Sequence, residues 1–330
     1  MLSRVANSIY WMSRNVERAE HMARFMEVTL NFILDQPDSD VEQWGPLVRA
    51  TGDEEYFATH YGEFTSGNVL QFLTFDRDYH SSIDSAIRYA RENARTVREA
   101  ISSEAWEQLN EFYHFVRDAA SDSSGMPDAT FYQDIVKFSF EFNGTVDATM
   151  TRDTGWHFGN VGRMLERADK TSRILDVKYF TLLRNVGDVN TTYDDLLWSS
   201  VLRSASGFEM FRKRYHSLTV ERIVEFLILD HRFPRAVRYS VQQARSSLSE
   251  VAGPVPDEQN EALLRTDRLL DRLDSLQALT IINSGVHEFV DWLQTSLNEI
   301  GDAIQQTYMA ARPFPAAVLP SPSQTQMQSQ

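Results

Sequence analysis

The sequence predicts an all-α protein, a multi-helix bundle organised on a pseudo-two-fold pair of long helices that arose by internal duplication. Three observations predict it. Apolar residues recur at three- and four-residue spacing through most of the chain, the period of an amphipathic helix. Helix breakers are few, with 14 Gly and 10 Pro in 330 residues and several of the Pro crowded into the end. The third observation is a repeat. Arg14, Glu17, Arg18, Ala19, Glu20 and Arg24 reappear at one offset of 149 residues as Arg163, Glu166, Arg167, Ala168, Asp169 and Arg173, and Glu27 and Val28 fall on Asp176 and Val177. Unrelated stretches of that length share about one identity by composition, so the match reads as a duplicated unit.

In chain order, the first long helix covers 3–34, with Ser3 as a candidate N-cap and Asp35-Gln-Pro37 ending it. Residues 35–68 read as an irregular acidic loop, punctuated by Pro37, Pro46, Gly52, Gly62 and Gly67, whose aromatic residues pack over the core. A helix follows over about 79–101, with Arg88, Arg91, Arg95 and Arg98 on its polar side, then a helix opened by Ser103, a turn at 121–127 and a helix over 129–151. Asp153 caps the second long helix, which runs to about 185. Helices are then predicted over 194–203, 205–215, 220–229 (capped by Thr219), 234–248, 258–280 and 286–311. One domain is expected over 1–312, in two similar halves at about 1–120 and 128–312. The Pro-, Ser- and Gln-rich stretch 313–330 reads as a disordered tail.

Composition excludes several function classes. A net charge of −15 with no strongly basic run argues against nucleic acid or an anionic membrane surface as partner. The absence of Cys removes disulfides, thiolate zinc sites and thiol nucleophiles, and it suits a reducing cytoplasm. No apolar run approaches the length of a membrane span, and charges interrupt the N-terminal stretch too early for a signal peptide. The expectation is a soluble cytoplasmic protein.

On a helix, Met12, Val16, Ala19, Ala23, Met26 and Leu30 form one apolar stripe, and Tyr10, Arg14, Glu17, His21 and Arg24 gather opposite it. Arg163, Glu166, Lys170 and Arg173 do the same in the second copy. A fainter third copy of the spacing lies at Arg268, Asp271, Arg272 and Asp274. A charged face is ordinarily solvated, but Arg-x-x-Glu-Arg kept twice in matching frame argues for a specific role. Paired Arg and Glu suit recognition of a peptide-like ligand, Arg gripping carboxylate as a fork. The expected binding residues are therefore Arg14, Glu17, Arg18, Glu20, Arg163, Glu166, Arg167, Asp169 and Arg173. Trp156 and His157 join them at the N-terminus of the second long helix, where free amides attract anions. A dimetal carboxylate site needs Glu-x-x-His pairs; Lys170 and the flanking arginines oppose cation binding, so neither metal nor cofactor is expected. The fingerprints of zinc peptidases, nucleophile-elbow hydrolases, P-loops and dinucleotide folds are absent.

The opening Asn7, Tyr10, Trp11, Arg14, Glu17, Arg18, Ala19 and Glu20 resembles the bacterial alpha-E family, a helical domain of unknown function. Further stretches of the resemblance are Asn93–Glu99, Gly155-Trp156 with Gly162-Arg163 and Leu165–Asp169, and Asp230–Arg238, which brings His231 and Arg235 into the expected site. It covers about residues 1–312. The resemblance implies partnership with circularly permuted ATP-grasp-like proteins and transglutaminase-like proteases. Two functional readings follow. In the favoured one the chain is a non-catalytic module working with an ATP-grasp-like ligase on a peptide or amide-linked product, its charged motifs holding substrate or partner. In the other it is an enzyme on peptide or amide bonds with Glu17 or Glu166 as general base, which requires a raised pKa that the neighbouring arginines oppose. A third, compatible role is a buried charge network that fixes the packing of the two halves.

Overall fold

The computed structural model describes residues 1–34, 40–121, 126–182, 192–253 and 260–310; the predicted tail at 313–330 lies outside them. Among the described residues the regular structure is helical throughout. Helix α1 (Ser3–Leu34) and helix α8 (Thr154–Leu182) are the two long axes. They lie side by side and parallel: Gly159 meets Ile9 and Ser13, Gly162 meets Tyr10, Glu166 meets Arg14 and Arg18, and Arg167 meets Glu17.

Each axis carries three further helices in the same arrangement. Against α1 pack α5 (Ile83–Arg95) and α7 (Ala129–Thr149), with α6 (Ser103–Ser121) bridging those two. Against α8 pack α12 (Val237–Ala252) and α15 (Val286–Ile304), with α13 (Glu261–Ser275) bridging them and α14 (Ala278–Ser284) set before α15. Three short helices link axis to bundle on each side: α2 (Asp40–Thr51), α3 (Glu54–His60) and α4 (Ser66–Thr74) after α1, and α9 (Thr192–Ser204), α10 (Phe208–Arg214) and α11 (Val220–Val224) after α8. The hydrophobic core divides accordingly. One cluster joins Met12, Val16, Ala19, Ala23 and Met26 to the α5, α6 and α7 residues Ile87, Phe112 and Phe142, and the other joins Leu165, Ala168 and Leu175 to Val241, Leu270 and Leu293.

The stretch 35–68 corrects the loop expectation: it holds α2, α3 and the start of α4. Pro46 sits inside α2, and Gly52 and Gly62, both at positive φ, end α2 and α3. The punctuation thus marks stops and not an absence of helices between them, because the segments are too short to show their period. The aromatic residues there do pack inward, with Phe57 fully buried between Phe64, Phe72 and Tyr61. The predicted helix over 258–280 is two helices broken near Leu276. The turn after α11 widens to a π-turn over Glu225–Leu229, directly before the Asp230 turn.

The polar side of α1 is the larger surprise in packing. From Ser8 to Met26 only Trp11, Arg14 and Arg18 are more than marginally exposed, so this helix is buried on every face, its charges included. Among the described residues no helix is long and apolar enough to cross a membrane.

Candidate functional site

The buried charges of α1 face those of α8 in a seam down the middle of the molecule. Two glycines let the helices come this close. Gly162 lies against the Tyr10 carbonyl, where a Cβ would overlap the backbone oxygen, and a Cβ on Gly159 would stand 2.9 Å from Ser13 Oγ. One turn further on, the motif residues exchange partners. Arg167 grips Glu17 with both prongs, Nε to Oε1 at 2.6 Å and Nη2 to Oε2 at 2.8 Å. Arg18, which stands 149 residues before Arg167, grips Glu166 in the same way, Nε to Oε1 at 2.6 Å and Nη2 to Oε2 at 3.1 Å. Each Glu-Arg pair of one helix is satisfied by the Arg and Glu of the other. The planar guanidinium makes both contacts two-pronged, which a Lys ammonium does not do.

Around this exchange the two copies differ. Glu166 also accepts from Arg14 Nε at 2.6 Å and has Lys170 at 3.7 Å. Arg163, the counterpart of Arg14, turns away to Asn143 and Asn160, with Asp147 at 3.7 Å. The second acid of each copy holds the arginine one turn on: Glu20 with Arg24 at 2.9 Å, and Asp169 with Arg173 at 3.1 Å. Arg235 enters from the chain before α12, donating to Glu20 and facing His21 Nε2 at 3.0 Å. His21 Nε2 is also 3.1 Å from Glu17 Oε1.

Arg235 is delivered by a turn in which Asp230 Oδ1 accepts from the amides of Arg232 and Phe233. The same turn precedes α5, where Asp76 Oδ1 accepts from Asp78 and Tyr79. Five residues beyond each Asp stand Arg235 and Ser81. Ser81 leaves a small cavity of about 40 Å³ bordered by Arg18, His21, Tyr79, Lys170 and Arg173. The cation missing at 81 is supplied instead by Lys170, which occupies the place of His21 and lies 3.1 Å from Asp169. One copy thus uses neutral His plus Arg, the other Lys plus Ser. We expect Lys170→His to cost about 1–3 kcal/mol and added Ser81→Arg to recover part of it; a denaturant double-mutant cycle with no coupling would refute the exchange.

Burial by itself would push the Glu17 carboxyl up, but the Arg167 charge, the His21 and Arg167 bonds and the Arg235 charge hold it well below the usual carboxylate range. For Glu166 the charges of Arg18, Lys170 and Arg14 outweigh burial to the same effect. His21 is lowered, first by burial and then by Arg235, against the Glu17 bond that favours its charge. The signs give a pH prediction. Below its ordinary value of 6.5 the unfolded chain protonates His21 while the folded chain resists, and below about 4.5 the same holds for the two glutamates. Unfolding free energy should therefore fall in two stages on acidification, and His21→Gln should make the stage that begins near pH 6.5 shallower in urea titrations, leaving the part due to His80, which burial also lowers.

Of the expected residues, Arg14, Glu17, Arg18, Glu20, Glu166, Arg167, Asp169, Arg173 and Arg235 meet in this seam. Arg163 borders it. Trp156 and His157 lie at the start of α8, Trp156 under the Arg152 guanidinium at 4.0 Å and bonded to Asp147, His157 facing Ser247. His231 is exposed and bonded by Arg232. The third copy, Arg268, Asp271, Arg272 and Asp274, is exposed on α13. Sequence reasoning missed Ser81, whose signal is the Asp-x-x-Tyr and Asp-x-x-Phe pair at 76 and 230. Among the described residues no cluster of His, Asp and Glu could hold a metal ion.

The match of a family model over nearly the whole described chain decides the family. The family described as a predicted alpha-helical domain with a conserved ER motif matches residues 1–309. This chain belongs to the Alpha-E family. It is similar to an uncharacterized protein of Mycobacterium bovis and to one of Mycobacterium tuberculosis, each 23% identical over 338 residues, and at 22% to that of a second M. tuberculosis strain. The match takes in 93% of this chain and 37% of each relative, so the Alpha-E chain spans just over a third of their length. No solved structure gives a significant match.

Proposed function

We propose that this Alpha-E chain is a non-catalytic cytoplasmic module that works with a circularly permuted ATP-grasp-like ligase in making or modifying a peptide or amide-linked product, with a transglutaminase-like protease as a further partner. In this reading the two helix groups descend from one duplicated unit, the ER seam fixes their packing, and ligand and partner engage outside it. One observation carries the non-catalytic assignment: Glu17 and Glu166 are both 0% exposed and each is locked in a two-pronged arginine contact. A general base has to reach its proton and hold it near the working pH. These carboxyls face mostly buried cations, Arg167 and Arg235 for Glu17 and Arg14, Arg18 and Lys170 for Glu166, and are held ionised. Module character is supported by the relatives, in which the comparable stretch is part of a much longer chain.

The test is co-expression of the chain with an ATP-grasp-like protein encoded beside an Alpha-E relative, followed by size-exclusion chromatography. A stable complex is expected, and its absence would remove the ligase from the reading. Turnover of peptide or amide substrates by the purified chain alone, lost in a folded Glu17→Gln variant, would overturn the non-catalytic assignment.

A further inference from the structure

Where Arg235 fills one half of the molecule, Ser81 leaves the other half a cavity of about 40 Å³, room for about three water-sized atoms. Arg18, Lys170 and Arg173 form its charged wall, and Met22, Phe25 and Ile174 its buried apolar wall. The acids that these cations pair with are not part of the lining: it holds neither Glu166 nor Asp169, and among the described residues no wall is acidic. Each cation also keeps unused N–H groups. Arg18 commits Nε and Nη2 to Glu166, and Arg173 commits Nε to Asp169 and Nη1 to the Thr51 carbonyl. Arg18 Nη1 and Arg173 Nη2 therefore have no hydrogen-bond partner among the described residues. Lys170 Nζ lies 3.1 Å from Asp169 and 3.7 Å from Glu166, which engages at most two of its three protons. Unlike Arg24 Nη2, none of these three nitrogens is sealed in the interior: the side chains are 12% exposed for Arg18, 19% for Lys170 and 23% for Arg173.

Three cations with unused donors around a hollow that water reaches suit an anionic oxygen. Size selects which kind. A carboxylate brings three heavy atoms, matching the space, whereas a phosphate brings five and would turn oxygens toward the apolar wall, where nothing bonds them. The apolar wall also lowers the local dielectric and strengthens the ion contact. We propose that the cavity binds the carboxylate end of a small acid or of a peptide chain, held by Lys170 Nζ, Arg173 Nη2 and Arg18 Nη1. The rest of the ligand leaves past His80, the exposed residue between the lining residues Tyr79 and Ser81. In the other half the Arg235 guanidinium stands in the matching place, beside Glu20 and His21, so that half takes no anion. The site lies on the solvent side of the seam and goes beyond the ligase reading, whose partner its test does not contain.

The experiment follows the histidine ring signals of the full chain by NMR, with His80 assigned through His80→Gln. The chain is titrated at constant ionic strength with acetate, with an N-acetylated tripeptide bearing a free C-terminus, with the amide of each, and with inorganic phosphate. Both carboxylates should shift the His80 signal saturably and raise its pKa, because a bound anion offsets the Arg18 and Lys170 charges that, after burial, hold it down. The amides should bind about tenfold more weakly or worse. Ser81→Leu fills the cavity without altering a seam cation, and it should weaken both acids to the same degree at an unchanged melting temperature. If that variant does not fold, the comparison of acid with amide on the unaltered chain decides. No saturable shift with either acid, or equal binding of the amides, would overturn the site. Phosphate bound as tightly as acetate would overturn the selection of a carboxylate. A tripeptide tighter than acetate supports the site with a chain terminus as its occupant, and the reverse order supports it with a small acid. A missing ligase complex beside bound carboxylate would drop the partnership and leave the cavity assigned.

Discussion

Replacing Glu166 by Ala should lower the unfolding free energy by about 3–5 kcal/mol, the cost of breaking a buried ion pair from one side. The loss exceeds that of an ordinary salt bridge because three cations converge on this carboxylate, Arg14, Arg18 and Lys170, and all are mostly buried. Without it they repel one another in a region from which water is largely excluded. Glu166→Gln should lose a comparable amount despite its matching shape, since it removes the charge. Glu107→Ala, on the exposed side of α6, should stay within about 0.5 kcal/mol. Urea unfolding of the three variants checks this; a Glu166→Ala loss no larger than the surface control would show that the seam is solvated and weak.

Gly162→Ala should cost about 3 kcal/mol. The added Cβ would overlap the Tyr10 carbonyl oxygen, and its next contacts are the Tyr10 carbonyl carbon and ring. Backbone cannot rotate out of the way as a side-chain end can, so α1 and α8 must separate. Separation also stretches the Arg167–Glu17 and Arg18–Glu166 contacts one turn along. Gly144→Ala is the matched control: it lies in α7, and a Cβ there meets nothing within 4 Å, so it should be neutral or slightly stabilising through helix propensity. Thermal unfolding of both variants decides it, and equal melting temperatures would mean that the two axes are not held at close approach.

Much of this architecture was legible beforehand for a physical reason. Helix period is a local property, so the long axes and α5, α6, α7, α12 and α15 announce themselves in apolar spacing. Short helices do not. α2 and α3 hide between glycines and a proline because seven to twelve residues carry too few turns for a period to stand out. The repeat of Arg, Glu and Arg at one offset pointed to the residues that meet in the seam. What it left open was whether the charged face looked at solvent, at a ligand or at its own counterpart.

By itself, then, the sequence determined the helical class, the two long axes and the matching chemistry of their charged faces, since each depends on residues close together or on one repeated pattern. Only the tertiary structure decided that the charged faces meet, because contact between residues 148 and 150 apart depends on how whole helices pack. It also decided that Arg235 enters one half of the seam while Ser81 leaves a gap in the other. And it decided that Arg24 leaves Nη2 buried without a hydrogen-bond partner where Arg173 Nη1 finds the Thr51 carbonyl. Asymmetry of that kind arises from the residues that the short linking helices and turns bring to each axis, and no period in the chain encodes it.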